Sequence, residues 1–129
     1  MTDLEVLART IWGEARGEKK EGMAAVASVI LNRTRRGGWF GETITQVCKK
    51  PWQFSCWNQD DPNCQKMLEI TDMDPQYAQA LIIAQKAVDG ELPDSTSRAT
   101  HYHEYKILPN WAEDLKKTTQ IGNHIFYKE

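Results

Sequence analysis

The hydrophobic pattern of the N-terminal part predicts two helices. In the first, apolar side chains recur with the spacing of one buried helix face, at Leu4, Leu7, Ala8, Ile11, Trp12 and Ala15. Thr2 or Asp3 can cap its start, and we expect it to end near Arg16, where glycines interrupt the pattern. A second helix is predicted over Glu21–Arg35. Its apolar stripe consists of Met23, Val26, Ala27, Ile30 and Leu31.

The middle of the chain is less regular. Residues 38–64 show no sustained periodicity, and only one short helix is predicted there, over Thr43–Lys49. A long irregular segment in a small domain usually carries function, so this region is a candidate binding loop. Helical spacing returns over residues 76–89, follows Pro75 and ends at Gly90.

The C-terminal part changes to a β-type pattern. Residues 100–105 predict a short strand, and residues 118–127 predict a hairpin that turns at Gly122 and Asn123. No internal repeat and no linker is visible. We therefore expect one mainly α domain with a small β element (α+β), spanning residues 1–129.

Composition and charge exclude several classes of protein. The chain has 129 residues, of which 40% are hydrophobic and 26% charged, and this balance is typical of a globular domain rather than a disordered or coiled-coil protein. The formal net charge of -2, with basic residues spread along the chain, argues against a nucleic-acid partner. Neither a transmembrane segment nor a signal peptide is predicted, and we expect a monomer without membrane contact.

The three cysteines, Cys48, Cys56 and Cys64, fall within the irregular region, with seven residues between neighbours. This spacing matches no common zinc motif. We expect reduced thiols that pack as small hydrophobic groups, and one disulfide formed in an oxidising compartment is the alternative.

Glu14 is the first candidate for chemistry. It follows the apolar face of the first predicted helix, beside Ile11 and Trp12. A carboxyl that loses hydration against indole surface has a raised pKa and can donate a proton near neutral pH. The alternative is that Glu14 and Glu18 are solvated, with Glu14 paired to Arg16.

The irregular region is the second candidate, because it concentrates aromatic side chains at Trp39, Phe40, Trp52, Phe54 and Trp57. Amide and hydroxyl side chains lie among them, at Gln53, Ser55, Asn58 and Gln59. Flat aromatic faces beside amides suit a sugar, which offers C–H faces and hydroxyl edges. A small second core under a loop is the alternative for any one of these aromatic residues.

Histidines near the C-terminus are the third candidate. His101 and His103 would share one face of a strand and could form a zinc site with His124, as in zinc amidases. Tyr102 would then lie on the opposite face and is an equally good candidate to reach a substrate. We expect no metal, since no His-Glu-x-x-His motif accompanies these histidines.

Several motifs together resemble the cell wall hydrolase family, which includes the catalytic domains of spore-cortex-lytic enzymes and related phage endolysins. The resemblance covers nearly the whole chain in the family's order. It is carried by residues 7–18, 21–33, 51–57, 99–103, 109–111 and 121–127.

The resemblance implies a lysozyme-like fold and cleavage of the β-1,4 bond between N-acetylmuramic acid and N-acetylglucosamine in peptidoglycan. The spore enzymes resemble lytic transglycosylases with one essential glutamate, which corresponds to Glu14. No cofactor is implied. The residues expected to bind the glycan are Trp52, Gln53, Phe54, Ser55, Tyr102 and His103.

Other activities remain open at this stage. A hydrolytic muramidase would need a second carboxylate, from Glu18, Asp60 or Asp61. A zinc-dependent N-acetylmuramoyl-L-alanine amidase and a non-catalytic glycan-binding module are further alternatives. The chain shows neither the targeting signal nor the separate peptidoglycan-binding domain of the spore enzymes. This fits an endolysin that stays in the cytoplasm until its release to the cell wall or periplasm.

Overall fold

Helices make up the first two-thirds of the chain and a small sheet follows. The computed structural model describes residues 1–129. The helices are α1 (Asp3–Ala15), α2 (Lys20–Arg36), α3 (Ile44–Lys49), α4 (Cys64–Glu69) and α5 (Pro75–Val88). The strands are β1 (His101–Glu104), β2 (Lys116–Ile121) and β3 (His124–Lys128). The mainly α architecture with a small β element is therefore confirmed.

The predicted helix boundaries agree with the structure to within one or two residues. α1 begins with a capping box, in which the Thr2 hydroxyl accepts a hydrogen bond from the Glu5 amide at 3.2 Å. α5 begins at Pro75. The preceding residue, Asp74, caps the helix, since its carboxylate accepts hydrogen bonds from two backbone amides of the first turn. α4 was not predicted, because only Cys64 and Met67 of its six residues are buried and the pattern is too short to show a period.

The core lies where α1 packs against α2 and α5. Nearly every apolar position of the two predicted N-terminal stripes is buried there, and α3 and α4 close the core from the side of the irregular region. All three cysteines are free and buried, as expected for thiols that pack as hydrophobic groups. No helix has both the length and the apolar character to cross a lipid bilayer.

The sheet has the strand order β1–β3–β2, and every pairing is antiparallel. β2 and β3 form the predicted hairpin at Gly122 and Asn123. Tyr102 pairs with Phe126, and its ring also contacts His124 with centroids 4.9 Å apart. This face of the sheet packs on α2, where Phe126 joins Ala25 and Val29 in a small cluster.

The zinc site considered from the sequence does not form, because the three histidines do not converge. His101 and His103 share one face of β1, as predicted, and both rings contact Trp111. His124 lies on the opposite face with Tyr102. No cluster of three His, Cys, Asp or Glu side chains is arranged to hold a metal ion.

Candidate active site

Glu14 lies at the C-terminal end of α1, where the helix meets the sheet. It is partly buried, and the Tyr102 hydroxyl donates a hydrogen bond to its Oε1 at 2.7 Å. The Cys56 side chain packs against the neighbouring Gly13 and is close enough to the carboxyl group to affect its pKa. The site therefore joins the first helix, the irregular region and the first strand around one carboxyl group.

Burial is the largest influence on this carboxyl and raises the pKa of Glu14 above its usual value of 4.5. The hydrogen bond from Tyr102, the nearby Cys56 thiol and the charge of Arg33 act in the opposite direction, and the charge of Asp61 adds to the increase. Because the net effect is upward, Glu14 keeps its proton to a higher pH than a solvated glutamate does. A general acid needs this property.

Tyr102 is suited to remain a donor. Burial raises its pKa well above 10.0, and the neighbouring Glu14 carboxyl raises it further. The phenol therefore stays protonated at neutral pH and holds one oxygen of Glu14 in place. Its ring is fixed in turn by His124 and by Phe126, whose centroid is 5.7 Å away.

Arg33 is a residue of the site that sequence reasoning missed. Its side chain is only 7% exposed near the end of α2, and its Nε donates to the Thr100 carbonyl oxygen at 2.7 Å. Its Nη1 donates to Gln53 Oε1 at 2.8 Å. Its position in the last turn of α2 would by itself indicate only a favourable interaction with the helix dipole. Its place seven residues after Val26, in line with the apolar stripe, is the signal that indicates burial.

The predicted sugar-binding residues of the irregular region fall into two groups. Trp52 is 92% exposed, and Ser55 is also exposed at the start of a 3-10 turn. Gln53 is partly buried. Phe54, in contrast, is 3% exposed and packs in the core under the Arg33 guanidinium. Its ring therefore has little exposed face, which fits the alternative of a small core under the loop, and its contact with a sugar remains a prediction.

His103 lies on the opposite face of β1 from Tyr102 and the Glu14 carboxyl, and its role in glycan binding remains a prediction. Its ring stacks on Tyr127 with centroids 5.3 Å apart, and its Nε2 lies 3.0 Å from the Tyr127 hydroxyl. Successive side chains of a strand point to opposite faces, so Tyr102 and His103 cannot both face Glu14.

Glu18 lies beyond the end of α1 at Ala15, and its carboxylate contacts the hairpin. Its Oε1 accepts a hydrogen bond from the Asn123 amide at 3.1 Å and lies 3.5 Å from His124 Nδ1. Glu18 therefore ties the hairpin turn to the loop between α1 and α2. Asp61 is the candidate of the predicted set whose charge acts on Glu14.

Gly13 allows the Cys56 segment to approach α1. A Cβ added to Gly13 would lie 2.7 Å from the Cys56 Cβ. We expect Gly13→Ala to lower the free energy of unfolding by about 1–3 kcal/mol, the usual cost of overpacking, despite the better helix propensity of alanine. Denaturant unfolding measures this. Gly17→Ala is the matched control, since nothing lies within 4 Å of its added Cβ. Equal stability of the two variants would contradict the expectation.

Comparison with known proteins identifies the family of the chain. The sequence profile described as Cell Wall Hydrolase matches residues 17–127, so its match begins after Glu14. A spore cortex-lytic enzyme of Oceanobacillus iheyensis is 32% identical over 126 residues, which are 98% of this chain and 41% of that protein. One from Bacillus cereus is 28% identical over 127 residues, 98% of this chain and 44% of that protein. The chain thus spans about two-fifths of the length of these relatives.

Two solved structures share the fold. The catalytic domain of the germination-specific lytic transglycosylase SleB from Bacillus anthracis superposes with a TM-score of 0.77 at 28% identity, covering 98% of this chain and 93% of that one. The catalytic domain of Bacillus cereus SleB gives the same TM-score and identity, and the superposition covers 89% of that domain. The lysozyme-like fold implied by the sequence motifs is confirmed. From its motifs, its fold and the matched profile, this chain belongs to the cell wall hydrolase family.

Proposed function

We propose that this chain is a peptidoglycan lytic transglycosylase, which cleaves the β-1,4 bond between N-acetylmuramic acid and N-acetylglucosamine. The observation that carries the proposal is a partly buried Glu14 with a raised pKa, held by the Tyr102 hydroxyl at 2.7 Å. Family membership and the likeness to a domain described as a lytic transglycosylase support it.

In the first step, neutral Glu14 donates its proton to the glycosidic oxygen. The bond from that oxygen to C1 of the muramic acid ring breaks, N-acetylglucosamine leaves with a new hydroxyl, and positive charge develops on the ring. Tyr102 donates to Oε1, so the proton of the neutral carboxyl belongs on the other oxygen. The same hydrogen bond stabilises the carboxylate that the step creates.

In the second step, the Glu14 carboxylate acts as a base. It takes the proton of the C6 hydroxyl on the same muramic acid ring, and the C6 oxygen bonds to C1 to give a 1,6-anhydro product. Glu14 regains its proton and no water is consumed. One carboxyl group is sufficient for both steps, and no cofactor is required.

A hydrolytic muramidase is the second candidate, and Asp61 is the observation that favours it. Its charge raises the pKa of Glu14, so it lies within electrostatic range of the acid. Its Oδ1 also accepts a hydrogen bond from the Asn63 amide at 2.8 Å, which holds it in place. In this mechanism Asp61 would activate water or attack the sugar, and the product would have a reducing end.

Mass spectrometry of digested sacculi separates these activities. We expect muropeptides that end in anhydromuramic acid and are lighter by one water than the products of hydrolysis. Reducing ends would instead establish the muramidase. Freed peptides with new amino termini, formed in an EDTA-sensitive reaction, would establish the amidase, and binding without release would indicate a glycan-binding module.

The partner proposed for the site is the peptidoglycan glycan strand. The absence of nucleic-acid and membrane partners and the monomeric state remain predictions. An endolysin role, with retention in the cytoplasm before release, is likewise a proposal supported by the sequence motifs alone. The relatives reported above are described as spore cortex-lytic enzymes.

A further inference from the structure

The contact between Arg33 and Gln53 fixes which end of the Gln53 side-chain amide faces Arg33. Arg33 Nη1 donates to Gln53 Oε1 at 2.8 Å. A guanidinium has donors only and cannot accept a hydrogen bond, so a flipped amide would place N–H groups against N–H groups. The carbonyl end of Gln53 must therefore face Arg33.

Arg33 is itself fixed and cannot follow a rotation of the amide. Its Nε is bound to the Thr100 carbonyl oxygen at 2.7 Å, and its guanidinium lies over the rings of Phe40 and Phe54, 5.2 and 5.3 Å from their centroids. Phe54 directly follows Gln53, so the same packing holds the backbone of the amide. The orientation of Gln53 is set before any ligand binds.

The amide nitrogen of Gln53 is consequently the free end. Its two N–H groups have no hydrogen-bond partner within the protein, while the side chain is only partly buried. Gln53 lies beside the exposed Trp52, and its partner Arg33 is close enough to Glu14 and Tyr102 for its charge to act on both. Two oriented donors thus remain unpaired on a side chain that is joined to the site through Arg33.

We propose that Gln53 is a specificity-determining residue that donates a hydrogen bond to an amide carbonyl oxygen of the glycan, and that Arg33 is the positioning residue that makes it a donor. The proposal rests on the proposed function. Two carbonyls share this chemistry, the acetamido group of the sugars and the lactyl amide that links muramic acid to its peptide. A sugar hydroxyl can rotate to suit donor or acceptor, whereas a carbonyl only accepts, so fixed donors select for it.

Gln53→Glu tests whether the Gln53 amide acts as a hydrogen-bond donor to the glycan. The new carboxylate keeps the shape and accepts from Arg33, but it has no donor for the glycan. Binding is measured by co-sedimentation with sacculi, in a Glu14→Gln background that prevents digestion. We expect about a tenfold loss of affinity, as for one hydrogen bond to a buried partner. Gln76→Glu is the matched control, since it makes the same change at an exposed position on α5 and should bind as the parent does.

Gln53→Met is the second variant, because it removes the donors without adding charge and so remains informative if Gln53→Glu misfolds. Circular dichroism and denaturant unfolding check that each variant is folded. A structural defect would weaken binding to all strands equally. A lost donor would weaken binding only to strands that carry the recognised carbonyl.

Chemically altered strands identify that carbonyl. De-N-acetylated strands lack the acetamido carbonyl, with re-acetylated strands as their control, and strands of β-1,4-linked N-acetylglucosamine alone lack the lactyl group with its carbonyl. The parent for these measurements is the Glu14→Gln protein. We expect it to bind one of the two altered kinds of strand about tenfold more weakly than native strands. Gln53→Met in the same background should show no such preference. A parent that binds all strands equally, or a variant that keeps the parent's preference, overturns the proposal. Because binding is measured without cleavage, failure of the transglycosylase assignment would show only in the digestion products.

Discussion

Glu14→Gln is expected to reduce the release of muropeptides from sacculi by roughly a thousandfold. The amide cannot donate the proton that leaves with N-acetylglucosamine, nor accept the proton of the C6 hydroxyl, and each general acid–base role contributes about 10²–10⁴-fold. The two roles share one group, so their effects do not simply multiply. Chromatographic quantification of released products over time measures the loss.

Glu21→Gln is the matched control for this variant. It makes the same substitution at an exposed position in the first turn of α2 and should retain the parent rate. A Glu14→Gln protein that is folded and keeps most of the activity would show that another group is the acid.

Glu14→Gln also changes how the free energy of unfolding depends on pH. The pKa of Glu14 is raised in the folded protein, mainly by burial, so the folded state binds this proton more tightly than the unfolded state does. Its contribution to stability is complete below the unfolded pKa and is lost as the pH rises through the folded value. We therefore expect the unfolding free energy of the parent to fall over this window relative to that of Glu14→Gln. Parallel slopes in denaturant unfolding across the pH range would contradict the raised pKa.

The elements that could be predicted from the sequence are those with a local cause. The helices α1, α2 and α5 have apolar stripes long enough to show a helical period, and the hairpin turns at Gly122, which adopts a positive φ that favours glycine. α4 has too few buried residues to show a period. The order of the strands in the sheet, in contrast, depends on pairing between segments far apart in the chain.

The candidate site shows the same division. Glu14 could be identified from the apolar residues before it and from the family motif. The alternation of β1 placed Tyr102 opposite His101 and His103, yet which face meets the acid depends on a contact across 88 positions. The Arg33–Gln53 contact and the burial of Phe54 likewise depend on how the irregular region folds over α2, which no local pattern encodes.

Tyr102→Phe is expected to lower the rate of glycan cleavage by roughly 10–100-fold, the usual range for a lost hydrogen bond to a charged group. Phenylalanine keeps the ring that packs against His124 and Phe126, but it removes the hydroxyl bound to Glu14 Oε1 at 2.7 Å. The carboxylate formed in the first step then loses a donor. The carboxyl is also free to rotate away from the glycosidic oxygen.

The pH profile distinguishes this role from a loss of packing. The hydrogen bond from Tyr102 lowers the pKa of Glu14, so its removal raises that pKa further. Activity requires the protonated acid, and we therefore expect the alkaline limb of the kcat profile to move to higher pH in Tyr102→Phe. Tyr105→Phe is the matched control, since this tyrosine is 49% exposed just after β1 and should leave both rate and profile unchanged. A profile that falls in height without moving, or that moves to lower pH, would show that Tyr102 does not act through the Glu14 carboxyl.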